Sequence, residues 1–190
     1  DNFTRTLRPF APVRSGGEII AYLGIRIRPG DQFAEILNVG RFGETGETYA
    51  FDKTGTMISA SRFDDQLKQI GLLADTPEAR SELTIELRDP GVDMTIGERP
   101  STRRADQPLT RLAADALQGK PTVSVDAAGY RDYRGRMNVG AWTWLPEYGF
   151  GVATEVDQAE VYRPGFMIRA VFWVLFGLLA AAALTLLAMT

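Results

Sequence analysis

Alternating apolar and polar residues predict strands over much of this chain, and three stretches switch to helical spacing. Residues 18–28 (EIIAYLGIRIR) set Ile20 and Tyr22 against Ile19, Ala21, Leu23, Ile25 and Ile27, the period-2 signature of a strand. Ser15-Gly16-Gly17 is a turn signal before it and Pro29-Gly30 a stop after it, so the segment reads as the second arm of a hairpin. Asp31 can cap a short helix that carries Phe33, Ile36 and Leu37 on one face. Residues 48–51 and 56–61 read as two strands joined by the tight turn Asp52-Lys53-Thr54-Gly55. Leu83, Ile85 and Leu87, then Val92, Met94 and Ile96, alternate around Asp89-Pro90-Gly91 and predict a second hairpin. Residues 108–117 place Leu109, Leu112, Ala113, Ala116 and Leu117 at helical spacing, with Gly119 to end the helix.

The last third is the most strongly β. Residues 122–126, 137–145 and 150–156 read as strands, with turns at Tyr133-Arg134-Gly135 and Pro146-Glu147-Tyr148-Gly149. Such short reverse connections make neighbours antiparallel. Asp157-Gln158-Ala159-Glu160 has the form of a capping box with Asp at the cap, so a helix should start there, interrupted near Pro164-Gly165. Residues 170–189 (AVFWVLFGLLAAAALTLLAM) carry no charge and one polar side chain, Thr185. Twenty helical residues span about 30 Å, the thickness of a bilayer's hydrocarbon core, and a soluble core helix would keep a polar stripe. The expectation is an α+β domain, with an antiparallel sheet of about five strands and flanking helices, followed by a C-terminal transmembrane helix.

Composition changes that picture in three ways. The 45% apolar content of the 190 residues is an average; without the membrane segment it falls to about 40%, ordinary for a soluble domain. A formal charge of −3 argues against nucleic acid as a partner, and the Arg103-Arg104 pair reads as a solvated loop. The chain has no histidine and no cysteine, which excludes a Ser-His-Asp triad, thiol catalysis and thiolate metal sites. Ser/Lys chemistry would have only Lys53, Lys68 and Lys120 to draw on. Gly43 and Gly46 precede a strand, and no Gly-Lys-Ser/Thr follows, so they do not read as a phosphate loop. No catalytic residue, metal or cofactor is expected. The chain opens on Asp1 and stops just past the apolar segment, so it reads as a piece of a longer protein. Arg163 and Arg169 precede the span, yet with its other flank uncounted the positive-inside rule does not orient it.

Two stretches are similar to a known family. GETGETYAFDKTGTMISASRF (residues 43–63) resembles the segment that opens the sheet of Cache domains, the PAS-like extracytoplasmic sensors of bacterial receptors. GYRDYRGRMNVGAWTWLPEYGFGVATEVDQAEVYRP (residues 129–164) resembles their closing strands and exit helix. The likeness covers most of residues 7–164. It implies three parts: residues 1–30 as the tail of a preceding membrane-distal module or a lead-in hairpin, 31–163 as a membrane-proximal Cache-like sensor, and 164–190 as the membrane helix. It further implies a bacterial inner-membrane receptor with residues 1–163 periplasmic or extracellular. Such a receptor acts as a homodimer on an unknown small molecule, such as an amino acid or carboxylate, and signals to a cytoplasmic kinase, cyclase or chemoreceptor domain. Most of the distal module that often holds the ligand in double-Cache receptors is missing.

Several residues are candidates for a ligand site, each with a structural alternative. Trp142 and Trp144 share a sheet face and can wall a pocket or fill a core. Tyr130, Asp132, Tyr133 and Arg134 cluster around a hairpin, where Asp132 and Arg134 can grip an amino or carboxylate group or simply pair with each other. Ser59, Ser61 and Arg62 end the second strand near a pocket mouth, and Arg62 can clamp a carboxylate. Tyr49 shares a face with Phe51 and is either pocket or core. Asp157, Glu160 and Pro164 occupy the only covalent route from sheet to membrane helix and are expected to couple signal; their capping form argues against paired-carboxylate hydrolysis. Expected function is therefore a non-enzymatic ligand-sensing module. The alternatives are a membrane-anchored protein-interaction or assembly domain, or an anchored hydrolase.

Overall fold

The computed structural model describes residues 10–25, 37, 40–119 and 122–189. Within them six strands form two antiparallel sheets. β1 (Phe10–Ser15) and β2 (Glu18–Gly24) make the expected hairpin. Gly16 and Gly17 both have positive φ, which a two-residue turn matched to the strand twist requires. Both of its faces are apolar and exposed, with Ile20 and Leu23 each more than 60% accessible. Residues 26–28 of the expected strand and the expected helix at Asp31 lie outside the described residues, apart from helical Leu37.

The second sheet carries the core. Its strands are β3 (Glu47–Phe51), β4 (Ser124–Arg131), β5 (Met137–Leu145) and β6 (Phe150–Asp157), in the order β3-β6-β5-β4. β3 and β4 are thus the edges, and β6 runs between β3 and β5. Helices α1 (Asp64–Gln69) and α2 (Arg111–Ala116) cover the inner face with the irregular chain around them. Large side chains sit above small ones: the Phe51 ring lies over Gly151, leaving no room there for a Cβ. Tyr49, Phe51, Met57, Leu67, Leu87 and Leu112 are at most 1% exposed, each worth about 1.5–3 kcal/mol of burial.

Four expectations are corrected. The sheet has four strands rather than five, because residues 56–61 make only isolated bridges, Phe51 to Met57 and Thr56 to Glu86. Asp52 bends the chain too tightly for a ladder, since one carboxylate oxygen takes the N–H of Thr54, the N–H of Thr56 and the Thr54 hydroxyl. The second hairpin does not form: Met94–Ile96 is a 3-10 turn capped by Asp93, whose carboxylate takes the Thr95 N–H at 2.9 Å. Arg104 is half-buried rather than solvated; its guanidinium donates to the carbonyls of Glu86, Arg88 and Tyr133. Burial, with the neighbouring Arg88 charge, lowers its pKa to about 10 against the pull of Glu86 and Asp132. Finally, α3 (Gln158–Met189) runs on through Pro164 without interruption.

That last helix is 32 residues long, and its most apolar stretch has a mean hydropathy of 2.4 with nothing buried. It is long and apolar enough to cross a membrane. Thr185 turns its hydroxyl onto the Ala181 carbonyl at 2.8 Å, one turn back, so its polar group is satisfied within the helix.

Candidate functional site

Strand alternation and register bring an unusual set of polar groups onto the inner face. β3 sends Glu47 inward with Tyr49 and Phe51, and β6 sends Glu155 inward with Asp157. Glu47 and Glu155 are directly opposed across the two strands, each 3% exposed. The same row continues through Gly140 of β5 to Asp126 of β4. Two like charges at that spacing repel, so their partners decide whether the row is tolerable.

Glu47 is well served. Its carboxylate takes the Tyr133 hydroxyl at 2.6 Å, the Ser61 hydroxyl at 2.9 Å and the Arg62 N–H at 3.2 Å. Burial still pushes its pKa up, opposed by the Arg134 charge and these donors. Glu155 has less: the Tyr49 hydroxyl donates to one oxygen, while the other is buried without a partner. Burial and the Asp132 and Glu47 charges push its pKa up to about 8, against the pull of the Tyr49 and Tyr130 hydroxyls. The Tyr130 hydroxyl, also buried and unpartnered, lies beside it over Gly140. Burial and the nearby carboxylates raise the pKa of Tyr49, Tyr130 and Tyr133 alike.

Next to this row stands a buried ion cluster. Arg134 is 2% exposed and donates to Asp132 at 2.7 Å, Asp157 at 2.9 Å and the Gln66 side chain of α1 at 2.9 Å. Its guanidinium stacks 3.6 Å from the centre of the Phe63 ring. Burial disfavours the cation, but Asp132 and the other acids outweigh that and raise its pKa. Asp132 is itself pushed up by burial against the Arg134 charge. Half-exposed Arg136 adds a second cation, bridging Asp157 at 3.0 Å and Asp93 at 3.2 Å.

All the nominated ligand residues lie on or beside this face, and most of their polar groups meet protein partners. Trp142 donates its indole N–H to Asp115 of α2 at 2.8 Å and meets Tyr130 edge-on, while Trp144 packs beside Phe51. Ser59 takes the Ala50 N–H. Arg62 turns away from the row and donates to the carbonyls of Phe42, Gly43 and Gly46. A cleft of about 460 Å³ opens elsewhere, beside the start of α3, lined by Asp93, Arg136, Met137, Gln158, Ala159 and Tyr162. Among the described residues no group of His, Cys, Asp and Glu is arranged to hold a metal ion.

The joint between β6 and α3 is the second centre. The strand ends at Asp157 and the helix begins at Gln158, with no residue between. The capping box does not form, because each member has a stronger partner. The Asp157 carboxylate is taken by Arg134 and Arg136, and its N–H goes to the Thr45 hydroxyl at 3.1 Å. Glu160 reaches across to the Glu44 N–H at 2.9 Å, the Thr45 N–H at 2.8 Å and the Thr45 hydroxyl. On the other side Gln158 and Tyr162, one turn apart, donate to the carbonyls of Ala128 and Ala127 at 2.7 and 2.6 Å. Positive-φ glycines stand at both contacts: Gly43 faces Glu160 and Gly129 faces Gln158 too closely for a Cβ. The first turns of α3 are thereby tied to the approach to one edge strand, β3, and to the irregular stretch of the other, β4. Pro164 lies beyond these ties, exposed on the helix.

Sequence reasoning passed over Glu47, Glu155, Thr45, Gln158 and Tyr162. The parity of Glu47 with Tyr49 and Phe51 carried the signal for the first; the long-range ties to α3 had none.

Comparison with known proteins finds no matching family model and no matching curated protein.

Proposed function

We propose that this chain is the membrane-proximal, extracytoplasmic module of a Cache-type bacterial transmembrane receptor, and that it passes conformational change from its sheet to its membrane helix. The observation that carries the proposal is the direct passage of β6 into α3, with the helix start tied to both edges of the sheet. A ligand, or a change in a preceding module, that favours one of two sheet arrangements then biases the helix position by its differential affinity. The output domain, the small-molecule ligand and a homodimeric assembly belong to this reading as expectations from the resemblance.

A second reading has an observation of its own. Most polar groups of the nominated ligand residues are engaged by partners within the protein, which favours a module that relays a signal received elsewhere, or docks a protein, over one that holds a small molecule itself. Thermal-shift screening of the full chain in nanodiscs against amino acids, carboxylates, amines and purines separates the two, since a bound ligand raises the melting temperature by mass action. Topology is tested directly because the chain has no native cysteine. A membrane-impermeant maleimide applied to intact cells should label a Glu147→Cys variant in the exposed β5–β6 turn. Labelling only after lysis overturns the extracytoplasmic assignment.

A further inference from the structure

We infer that the opposed pair Glu47 and Glu155 is a proton-binding site, with the proton resident on Glu155 at neutral pH, and that its release loosens the pairing of β3 with β6.

The geometry distributes the two roles. Three donors converge on Glu47, from Tyr133, Ser61 and the Arg62 backbone, and suit it to the carboxylate form. Glu155 receives one well-formed hydrogen bond, from Tyr49, and its second oxygen lies buried beside the Tyr130 hydroxyl, which pulls on it electrostatically without closing a hydrogen bond. Both neighbours approach the space above Gly140: a Cβ built there would lie 2.5 Å from the Tyr130 oxygen and 3.1 Å from the Glu155 side chain. A proton on that free oxygen removes the charge that opposes Glu47 and supplies a donor facing the Tyr130 oxygen.

The surrounding charges point the same way. From β3, Glu155 meets Glu47 and Tyr49; on its own strand Asp157 shares its face; from β4 and the turn after it come Asp126, Tyr130, Asp132, Tyr133 and Arg134. Asp126 is matched by Arg111 at 2.7 Å. The remaining buried acids, Glu47, Asp132, Asp157 and Glu155, face buried Arg134 and half-exposed Arg136. The Arg62 guanidinium is turned to loop carbonyls and does not serve the pair. With Glu155 neutral the excess of buried negative charge is halved, and the raised pKa of about 8 puts the release in the mildly alkaline range. Because β3 leads in from Thr45, which holds both the Asp157 N–H and Glu160, any effect on α3 rests on the relay proposed above.

Infrared spectroscopy of the full chain in nanodiscs reads the proton directly. A protonated-carboxyl C=O band should be present at pH 7, be lost with a midpoint near pH 8, and be absent in Glu155→Gln. Melting temperatures supply an independent readout. The folded pKa lies above the unfolded one, so this stabilisation is complete below about pH 4.5 and declines as pH rises to about 8. The gap between Glu155→Gln and the native chain should therefore widen over that window and then stay constant. A band missing at pH 7, or one that persists in Glu155→Gln, overturns the proton site, as does a melting gap that does not change with pH. A band that titrates as expected while spin labels on the sheet and α3 keep their separation leaves the site standing and counts against the relay instead.

Discussion

Replacing Arg134 by methionine isolates the contribution of the buried ion cluster, because the aliphatic length is nearly kept and the charge is lost. The guanidinium is 2% exposed, with Asp132 at 2.7 Å, Asp157 at 2.9 Å and the Phe63 ring at 3.6 Å. Asp157 would keep Arg136, whereas Asp132 would keep only the N–H groups of Arg134 and Arg136. Removing one partner of a buried pair costs about 3–5 kcal/mol, mostly the penalty of the charge left behind. For a domain of this size that is a fall of about 6–20 °C in melting temperature, measurable by circular dichroism in detergent or nanodiscs. Two further results follow from the same reasoning. Adding Asp132→Asn should recover part of the loss, since the amide oxygen still accepts both N–H groups and the stranded charge is gone. The deficit of Arg134→Met should also shrink on acidification. Without its cation the pKa of Asp132 lies further above its unfolded value, so stability is lost as pH rises and regained as it falls. A melting change under about 2 °C at pH 7, with no pH dependence, would refute the view that Arg134 compensates buried acids.

Two substitutions test how the inner face is closed. Trp142→Phe keeps the ring packing against Tyr130 but loses the 2.8 Å bond to Asp115; it should cost about 1.5–3 kcal/mol by thermal melting, the range for hydrogen bonds to charged groups. Gly135→Ala should cost at least about 2 kcal/mol in the same assay, because Gly135 has a φ of +84° and its Cβ would collide with the Val92 carbonyl.

The parts of the fold legible in the sequence are those fixed by local pattern. Gly16-Gly17 sets the first hairpin turn, Leu112, Ala113 and Ala116 set the buried stripe of α2, and uncharged residues 170–189 set the apolar end of α3. Residues 83–96 alternate like a hairpin but do not form one, because alternation in sequence says nothing of partners. Leu87 and Ile85 enter the core singly, and Asp93 captures Thr95 to tighten the chain into a turn. The capping box failed for the same reason. Asp157-Gln158-Ala159-Glu160 has the right spacing, but arginines 21 and 23 residues away and a threonine 115 residues away compete for its carboxylates. In the candidate site Tyr133, Arg134 and Asp132 stood out by composition. Glu47 and Glu155 did not, because their opposition exists only once β3 and β6 are in register.

The relay is tested most directly by pulsed electron spin resonance between labels at Val125→Cys on β4 and Arg169→Cys on α3, in nanodiscs, with and without Glu160→Ala. Both positions are exposed and the chain has no other cysteine. Glu160 ties α3 to the Glu44 and Thr45 backbone through three hydrogen bonds. A single narrow distance distribution in the otherwise native chain, broadened or shifted by Glu160→Ala, is the result expected of a helix held by the sheet. A broad distribution already present with Glu160 intact, unchanged by its removal, would contradict it.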